Sequence, residues 1–185
     1  MDSEDRKLIV AFRRGEQSAF AALVIKYRRT VYRVARRMTG NHEDAADVVQ
    51  DTFVRAFRGL RSFEGTSSLR TWLYRIAVNA SLDHLVRTAR APVLVAALPD
   101  RPAPPDDGPG EIAERRERGR QIAAAVEALP PRQRAAVVLR LYLDLPYAEI
   151  ANIMDCSEGT VKATVFAALR KLRQKLRHLV TVTED

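Results

Sequence analysis

Lys162, Phe166, Arg170 and Arg173 recur at helical spacing in the last third of the chain, with Thr160, Ala163, Thr164 and Lys171 among them. Cations interleaved with one aromatic ring suit a polyanion. The cations neutralise phosphates, and the ring offers apolar contact to a thymine methyl. At about 100° per residue they lie beside an apolar stripe of Val161, Val165, Ala168, Leu169, Leu172 and Leu176. Ser157 stands where it caps this helix, and Glu158 falls in its first turn. Ahead lies a shorter helical stretch, Tyr147 to Met154, then a tight turn containing Cys156. Short helix, turn and longer basic helix form a helix-turn-helix, whose second helix enters the DNA major groove. Phe166 has a second reading, as a ring tucked against a neighbouring helix.

Two further clusters lie upstream. Asp44, Asp47 and Asp51 fall within about 60° of one another on a helix from Asn41 to about Arg58. Ala46, Val49, Phe53 and Phe57 lie opposite and are expected to face the core. An acidic patch on a basic chain repels DNA and suits a basic protein surface. The alternative is a solvated face with Asp51 paired to Arg55. Next comes FEGTSSLRTWLYRIAVNASLDHL, a polar loop of Phe63, Glu64, Gly65, Thr66, Ser67 and Ser68. The helix after it carries Arg70, Trp72, Tyr74, Arg75, Asn79, Asp83 and Arg87. Such a loop beside aromatics and Asn can hold an unstacked base. A core Trp72 under an ordinary surface loop is the competing reading.

The elements that must position these groups are all helices. The first is short and includes Leu8 to Phe12. A long helix spans 17–38, and Gly40 ends it. Asn41 caps the next, and a fourth runs over about 67–88. Helices are expected over 111–128, 131–142, 147–154 and 158–177, with Pro131 in a first turn. Between the two groups, residues 91–110 hold most of the prolines and read as a flexible linker. The expected fold class is therefore all-α: two small helical domains, 1–90 and 113–185, joined by a linker over 91–112. Residues 1–90 carry 17 Lys/Arg against 10 Asp/Glu, the linker 1 against 4, and 113–185 carry 13 against 9. Two basic domains thus flank an acidic tether.

The net charge of +8 points to an acidic polymer as partner. No stretch is long and apolar enough to span a bilayer, and the acidic start MDSEDRKLIV is wrong for a secretory signal. A cytoplasmic location is expected, with no membrane insertion. One cysteine excludes an internal disulfide, and the scattered His42, His84 and His178 predict no metal site. No nucleophile–base pair or phosphate-binding glycine loop is present, so no enzyme, cofactor or small-molecule substrate is expected.

Taken together, these segments resemble the extracytoplasmic-function (ECF) sigma factors of bacterial RNA polymerase, over almost the whole chain. DAADVVQDTFVRAFRGL resembles the family's polymerase-binding helix in region 2. FEGTSSLRTWLYRIAVNASLDHL resembles the segment that opens and reads the −10 element. LPPRQRAAVVLRLYLDLPYAEIANIMDCSEGTVKATVFAALRKL resembles region 4, which reads the −35 element. Three motifs in order are far more specific than any one.

The resemblance implies partners and roles. Asp44, Asp47, Val48, Gln50 and Asp51 become contacts to the basic clamp helices of core RNA polymerase. Phe63, Glu64, Gly65, Thr66, Ser67 and Ser68 become the pocket for a flipped −10 base. Arg75, Asn79, Asp83 and Arg87 lie where the family reads non-template promoter DNA. Thr160, Lys162, Ala163, Thr164, Phe166, Arg170, Lys171 and Arg173 form the −35 face. Here Ala163, Thr164 and Ala167 stand where many members have polar or basic residues. Direct readout therefore leans on Lys162, Thr164 and Phe166, while Arg170, Lys171 and Arg173 serve phosphates. An anti-sigma factor is a further partner by analogy. Two rival readings remain at this point: a sigma-like decoy that binds an anti-sigma factor without DNA, and a plain helix-turn-helix regulator. The retained Lys162 and basic helix end argue against the first. The acidic helix and the FEGTSSLRTWL loop argue against the second.

Overall fold

The computed structural model describes residues 2–90 and 111–180. Helix α1, Ser3–Arg13, starts well before Leu8, because Asp2 caps it and Glu4 and Asp5 occupy its first turn. Lys26 of α2 (Gln17–Thr39) then gathers Asp2, Glu4 and Asp5 at 2.8, 2.6 and 2.8 Å. The Tyr27 hydroxyl donates to buried Asp5 at 2.7 Å. These bonds tie α1 along α2.

The apolar stripe of α2 is buried from Ala19 to Met38, and the helix ends on Gly40 at φ +89°. Only glycine adopts that left-handed geometry without strain, and its N–H returns to Arg36 O. Helix α3, His42–Gly59, follows at once. Asn41 accepts from Asp44 N at 2.8 Å, and its amide donates back to the Asp44 carboxylate at 2.6 Å. Helix α4, Leu69–Arg90, is capped by Ser68, whose hydroxyl accepts from Thr71 N at 3.0 Å.

The linker expected over 91–112 lies outside the described residues except at its end, where helix α5, Glu111–Glu127, begins. Helix α6, Pro131–Val137, does not continue as an α-helix to residue 142 as expected. Val138–Tyr142 widens into a π-helical turn, closed by Leu143 N–H to Val138 O at 3.2 Å. Helices α7 (Tyr147–Met154), α8 (Glu158–Lys175) and α9 (Arg177–Val180) complete the chain. The described residues contain no strand.

The two halves share a core. Leu23, Val31 and Met38 of α2 and Leu73 and Tyr74 of α4 pack in one cluster with Val138, Ile150, Ile153 and Val161. Fully burying a side chain such as Ile150 stabilises by about 1.5–3 kcal/mol. Polar bonds fix the seam. Arg134 of α6 is buried, and its guanidinium donates to Met38 O at the end of α2 and to Glu127 O at the end of α5. Both carbonyls belong to helix C-termini that lack intrahelical donors. Arg37 stacks over the Tyr142 ring at 4.2 Å.

Candidate nucleic-acid interface

Helix α8 turns one face to the core and one to solvent. Ser157 caps it, accepting from Thr160 N at 3.1 Å, as its position predicted. Val161, Val165, Ala168 and Leu172 are buried. Leu169, expected within that stripe, is 39% exposed because it sits at the stripe's edge. Thr160, Lys162, Ala163, Phe166, Arg170, Lys171 and Arg173 are exposed, and Thr164 is half-buried. Its hydroxyl donates to Thr160 O at 2.7 Å, which engages that proton within the helix.

Phe166 is 71% exposed, which overturns its reading as a ring packed on a neighbouring helix. A phenyl ring standing in solvent between Lys162 and Arg170 is free to make apolar contact with a base edge. Lys162 Nζ lies 5.7 Å from the Tyr147 ring centroid, and the Arg140 guanidinium 5.3 Å from it. Glu158 approaches Lys162 at 3.8 Å. Tyr147 and Glu158 thus hold Lys162 at the mouth of the helix-turn-helix.

The loop before α4 is built on an anchor. Phe63 is 6% exposed, its ring 5.0 Å from Trp72, and its carbonyl accepts from the Arg13 guanidinium. Phe63 was expected to line a base pocket. Instead it is the buried foot of the loop, because its ring completes the aromatic packing under α4. Ser68 is corrected likewise: its hydroxyl caps α4 and meets Thr71 Oγ1 at 2.6 Å. Glu64, Gly65 and Thr66 are exposed and Ser67 half-buried, with Gly65 at φ +76° setting the turn.

Along α4, Arg75 and Asn79 are exposed, and Arg75 Nε donates to Asn152 O of α7 at 2.9 Å. Asp83 is held by Arg55 of α3 at 2.8 Å, and Arg55 also pairs with Asp51 at 2.8 Å. Hydrogen bonding to Asp51, then to Asp83, raises the Arg55 pKa above its usual value. Arg87 lies 3.3 Å from His84 Nδ1.

The acidic helix is rotated from its expected register. Its core face is Ala45, Val48, Thr52, Phe53 and Ala56. Ala46, expected inside, is exposed, and Phe57 is 45% exposed. Val48, expected to touch polymerase, is 2% exposed and packs on Ala35, Ala45 and Ala80, so it reaches no partner surface. Asp47 and Gln50 are exposed. Asp44 approaches His84 Nε2 at 3.0 Å as well as capping with Asn41.

Sequence reasoning missed the feature beside them. Phe20 and Val24 of α2 with Val49, Phe53, Val54 and Phe57 of α3 line an open apolar groove of about 810 Å³. At its end Phe57 packs edge to face with both Phe12 and Phe20, which are tilted against each other. The signal was the pair Val54 and Phe57, three apart, which no single core stripe could bury together with Val48 and Phe53.

Residues 23–91 match the family model of Sigma-70 region 2, and residues 119–172 that of Sigma-70, region 4. The ECF RNA polymerase sigma-E factor of Escherichia coli (strain K12) is 37% identical over 95% of this chain and 96% of its own length. The chain belongs to the ECF family of RNA polymerase sigma factors. The RNA polymerase sigma-H factor of Pseudomonas aeruginosa is 31% identical over 96% of both chains. Among solved structures, CnrH in complex with the cytosolic domain of CnrY aligns with a TM-score of 0.68 and 27% identity, covering 95% of this chain and 99% of that one. The sigma factor RpoE in complex with the anti-sigma factor NepR from Bartonella quintana, at 24% identity, shares the fold over 85% of this chain and 96% of its own, with a TM-score of 0.65. This ECF sigma factor acts in promoter-directed transcription initiation. Among the described residues no helix is long and apolar enough to cross a membrane.

Proposed function

We propose that this sigma factor divides its work among three surfaces. The observation that carries the reading is α8, an exposed Phe166 framed by Lys162 and Arg170 in a capped helix-turn-helix. Lys162, Thr164 and Phe166 read the −35 duplex, with Thr160 and Ala163 against the groove wall. Arg170, Lys171 and Arg173 hold its phosphates. Asp47, Gln50 and Asp51, with the apolar groove at their side, dock on core RNA polymerase. A basic helical partner satisfies both parts of that surface, its cations meeting the acids and its apolar stripe filling the groove.

The loop of Glu64, Gly65, Thr66 and Ser67 receives an unpaired −10 base, and Arg75, Asn79 and Arg87 track the displaced strand. Asp83 and Asp44 brace α3 and α4 through Arg55 and His84. Unstacking a base costs about a few kcal/mol, which contacts made only by the flipped base offset. Binding energy is therefore released as the strands separate. The chain supplies specificity and no bond-making chemistry of its own, and it acts in the cytoplasm with polymerase. Domains 1–90 and 113–185 carry the −10 and −35 readings.

The match to CnrH in complex with the cytosolic domain of CnrY, and the fold shared with the sigma factor RpoE in complex with the anti-sigma factor NepR, support an anti-sigma partner here too. They do not favour the decoy. Run-off transcription with purified core polymerase and a genomic promoter library tests the reading. Discrete starts sharing two spaced elements are expected. A folded protein giving no transcripts would return the decoy.

A further inference from the structure

We propose that the cleft between the end of α2 and α5 is a binding site for an oligophosphate anion, that is, two or more linked phosphates, free or as the tail of a nucleotide. The cleft has a volume of about 710 Å³, a size that suits a small molecule. None of its arginines belongs to the promoter or polymerase surfaces above. Arg33, Arg36 and Arg37 of α2 and Arg120 of α5 line it, together with Glu117 and Glu127. Both acids are already engaged. Glu117 holds Arg120 at 3.0 Å and accepts from Gln121 at 3.2 Å. Glu127 lies against Gly40, where an added Cβ would meet its carboxyl carbon at 2.8 Å, and it interacts electrostatically with buried Arg134.

The arginines of α2 have no such partners. Arg33, Arg36 and Arg37 form no ion pair among the described residues, although Arg36 is half-buried. Arg37 meets the Tyr142 ring instead, at 4.2 Å. Arg36 and Arg37 stand in the last turn of α2, whose C-terminal end supplies about half a negative charge. That is too little to balance three guanidinium groups. Arg36 and Arg37 follow Arg33 at i+3 and i+4, the spacings that bring side chains onto one helix face, about 5–6 Å apart at Cβ. A guanidinium presents a planar fork of N–H donors that matches two phosphate oxygens. Linked phosphates engage several forks at once, whereas a lone carboxylate or sulfate engages one. Val126 and Tyr142 also line the cleft and give it an apolar wall against which a base can rest.

The test titrates the full chain with sodium tripolyphosphate by isothermal titration calorimetry at fixed ionic strength. One site is expected, and Tm should rise as tripolyphosphate is added, because only the folded chain forms the cleft. Arg36→Gln is expected to weaken binding about tenfold, through the loss of one charge-assisted contact. Arg33→Gln, Arg36→Gln and Arg37→Gln combined are expected to abolish it. A charge-matched control combines Arg6→Gln, Lys7→Gln and Arg29→Gln, which removes three exposed cations outside the cleft. It is expected to change affinity by less than about twofold. Circular dichroism checks the helix content of every variant.

Equal weakening by the control overturns the site, since net charge alone would then explain binding. Sulfate that binds as tightly as tripolyphosphate overturns it too, because linked phosphates would then confer nothing. If a short single strand of unrelated sequence loses as much affinity as tripolyphosphate in Arg36→Gln, the cleft belongs to a nucleic-acid surface and the proposal falls. Should the triple cleft variant fail to fold, Arg36→Gln decides by the same readings. ATP and GTP then identify the source. Binding tighter than that of tripolyphosphate, and lost in Tyr142→Leu, assigns the site to a nucleotide; equal or weaker binding assigns it to the phosphate chain alone.

Discussion

Arg134 gives the sharpest test of how the two halves hold together. Its side chain is 8% exposed, and it carries a charge into a largely apolar seam. Burial lowers its pKa from the ordinary guanidinium value. Arg134→Met keeps most of the volume and removes the donors. Met38 O and Glu127 O then lose their partner at two helix ends. Each buried carbonyl left unpaired costs about 1–3 kcal/mol. Relief from burying a charge offsets part of that loss. The expected net is about 2–4 kcal/mol, or a fall in Tm of about 10 °C for a chain of this size. Arg134→Lys retains the charge but cannot span both carbonyls from one ammonium, so about half that loss is expected. Urea unfolding followed by far-ultraviolet circular dichroism measures both variants, and m should stay constant. If Arg134→Met changed stability by less than about 0.5 kcal/mol, the range of an ordinary surface substitution, the bonds to Met38 and Glu127 would contribute nothing net and the argument would fail.

Asp47→Arg should prevent co-purification with core polymerase at unchanged helicity, because Asp47 is exposed and its replacement repels a basic partner; retention of polymerase would return α3 to a solvated face. Lys162→Ala should weaken −35 duplex binding by about 1–3 kcal/mol in gel-shift titrations without altering polymerase affinity, and parallel loss of both would refute its role. The pKa of Tyr27 is raised from 10.0, first by burial and then by its bond to Asp5. A group whose folded pKa is raised stabilises below the unfolded value and loses that contribution as pH rises past it. Stability should therefore decline as pH climbs above 10.0, and Tyr27→Phe should flatten that part of the curve; an unchanged slope in Tyr27→Phe would exclude Tyr27 as its source.

Local signals in the chain were reliable where one element decided them. Gly40 and the caps at Asn41 and Ser157 are sequence-local devices, and each sits where its residue type predicted. The solvent-facing cations and the buried stripe of α8 were legible because cations and apolar residues separate cleanly by angle. The register of α3 was not, because its apolar residues exceed what one face can bury. The surplus, Val54 and Phe57, went to an open groove. Arg134 carries no local signal in the sequence of α6 that sets it apart. Its burial depends on the ends of α2 and α5 meeting there, a tertiary fact that no window of sequence contains. The same holds for α7 against α4, where the partners are 77 and 78 positions apart.

Helix α1 lies outside the span matched to Sigma-70 region 2, which begins at residue 23. Yet Arg13 holds the carbonyl of Phe63 at the foot of the loop, and Lys26 staples the start of α1 to α2. The first helix is thus an outrigger for a loop fifty positions away. Trimming the chain to its recognisable module would leave the loop's residues intact and take away what steadies them.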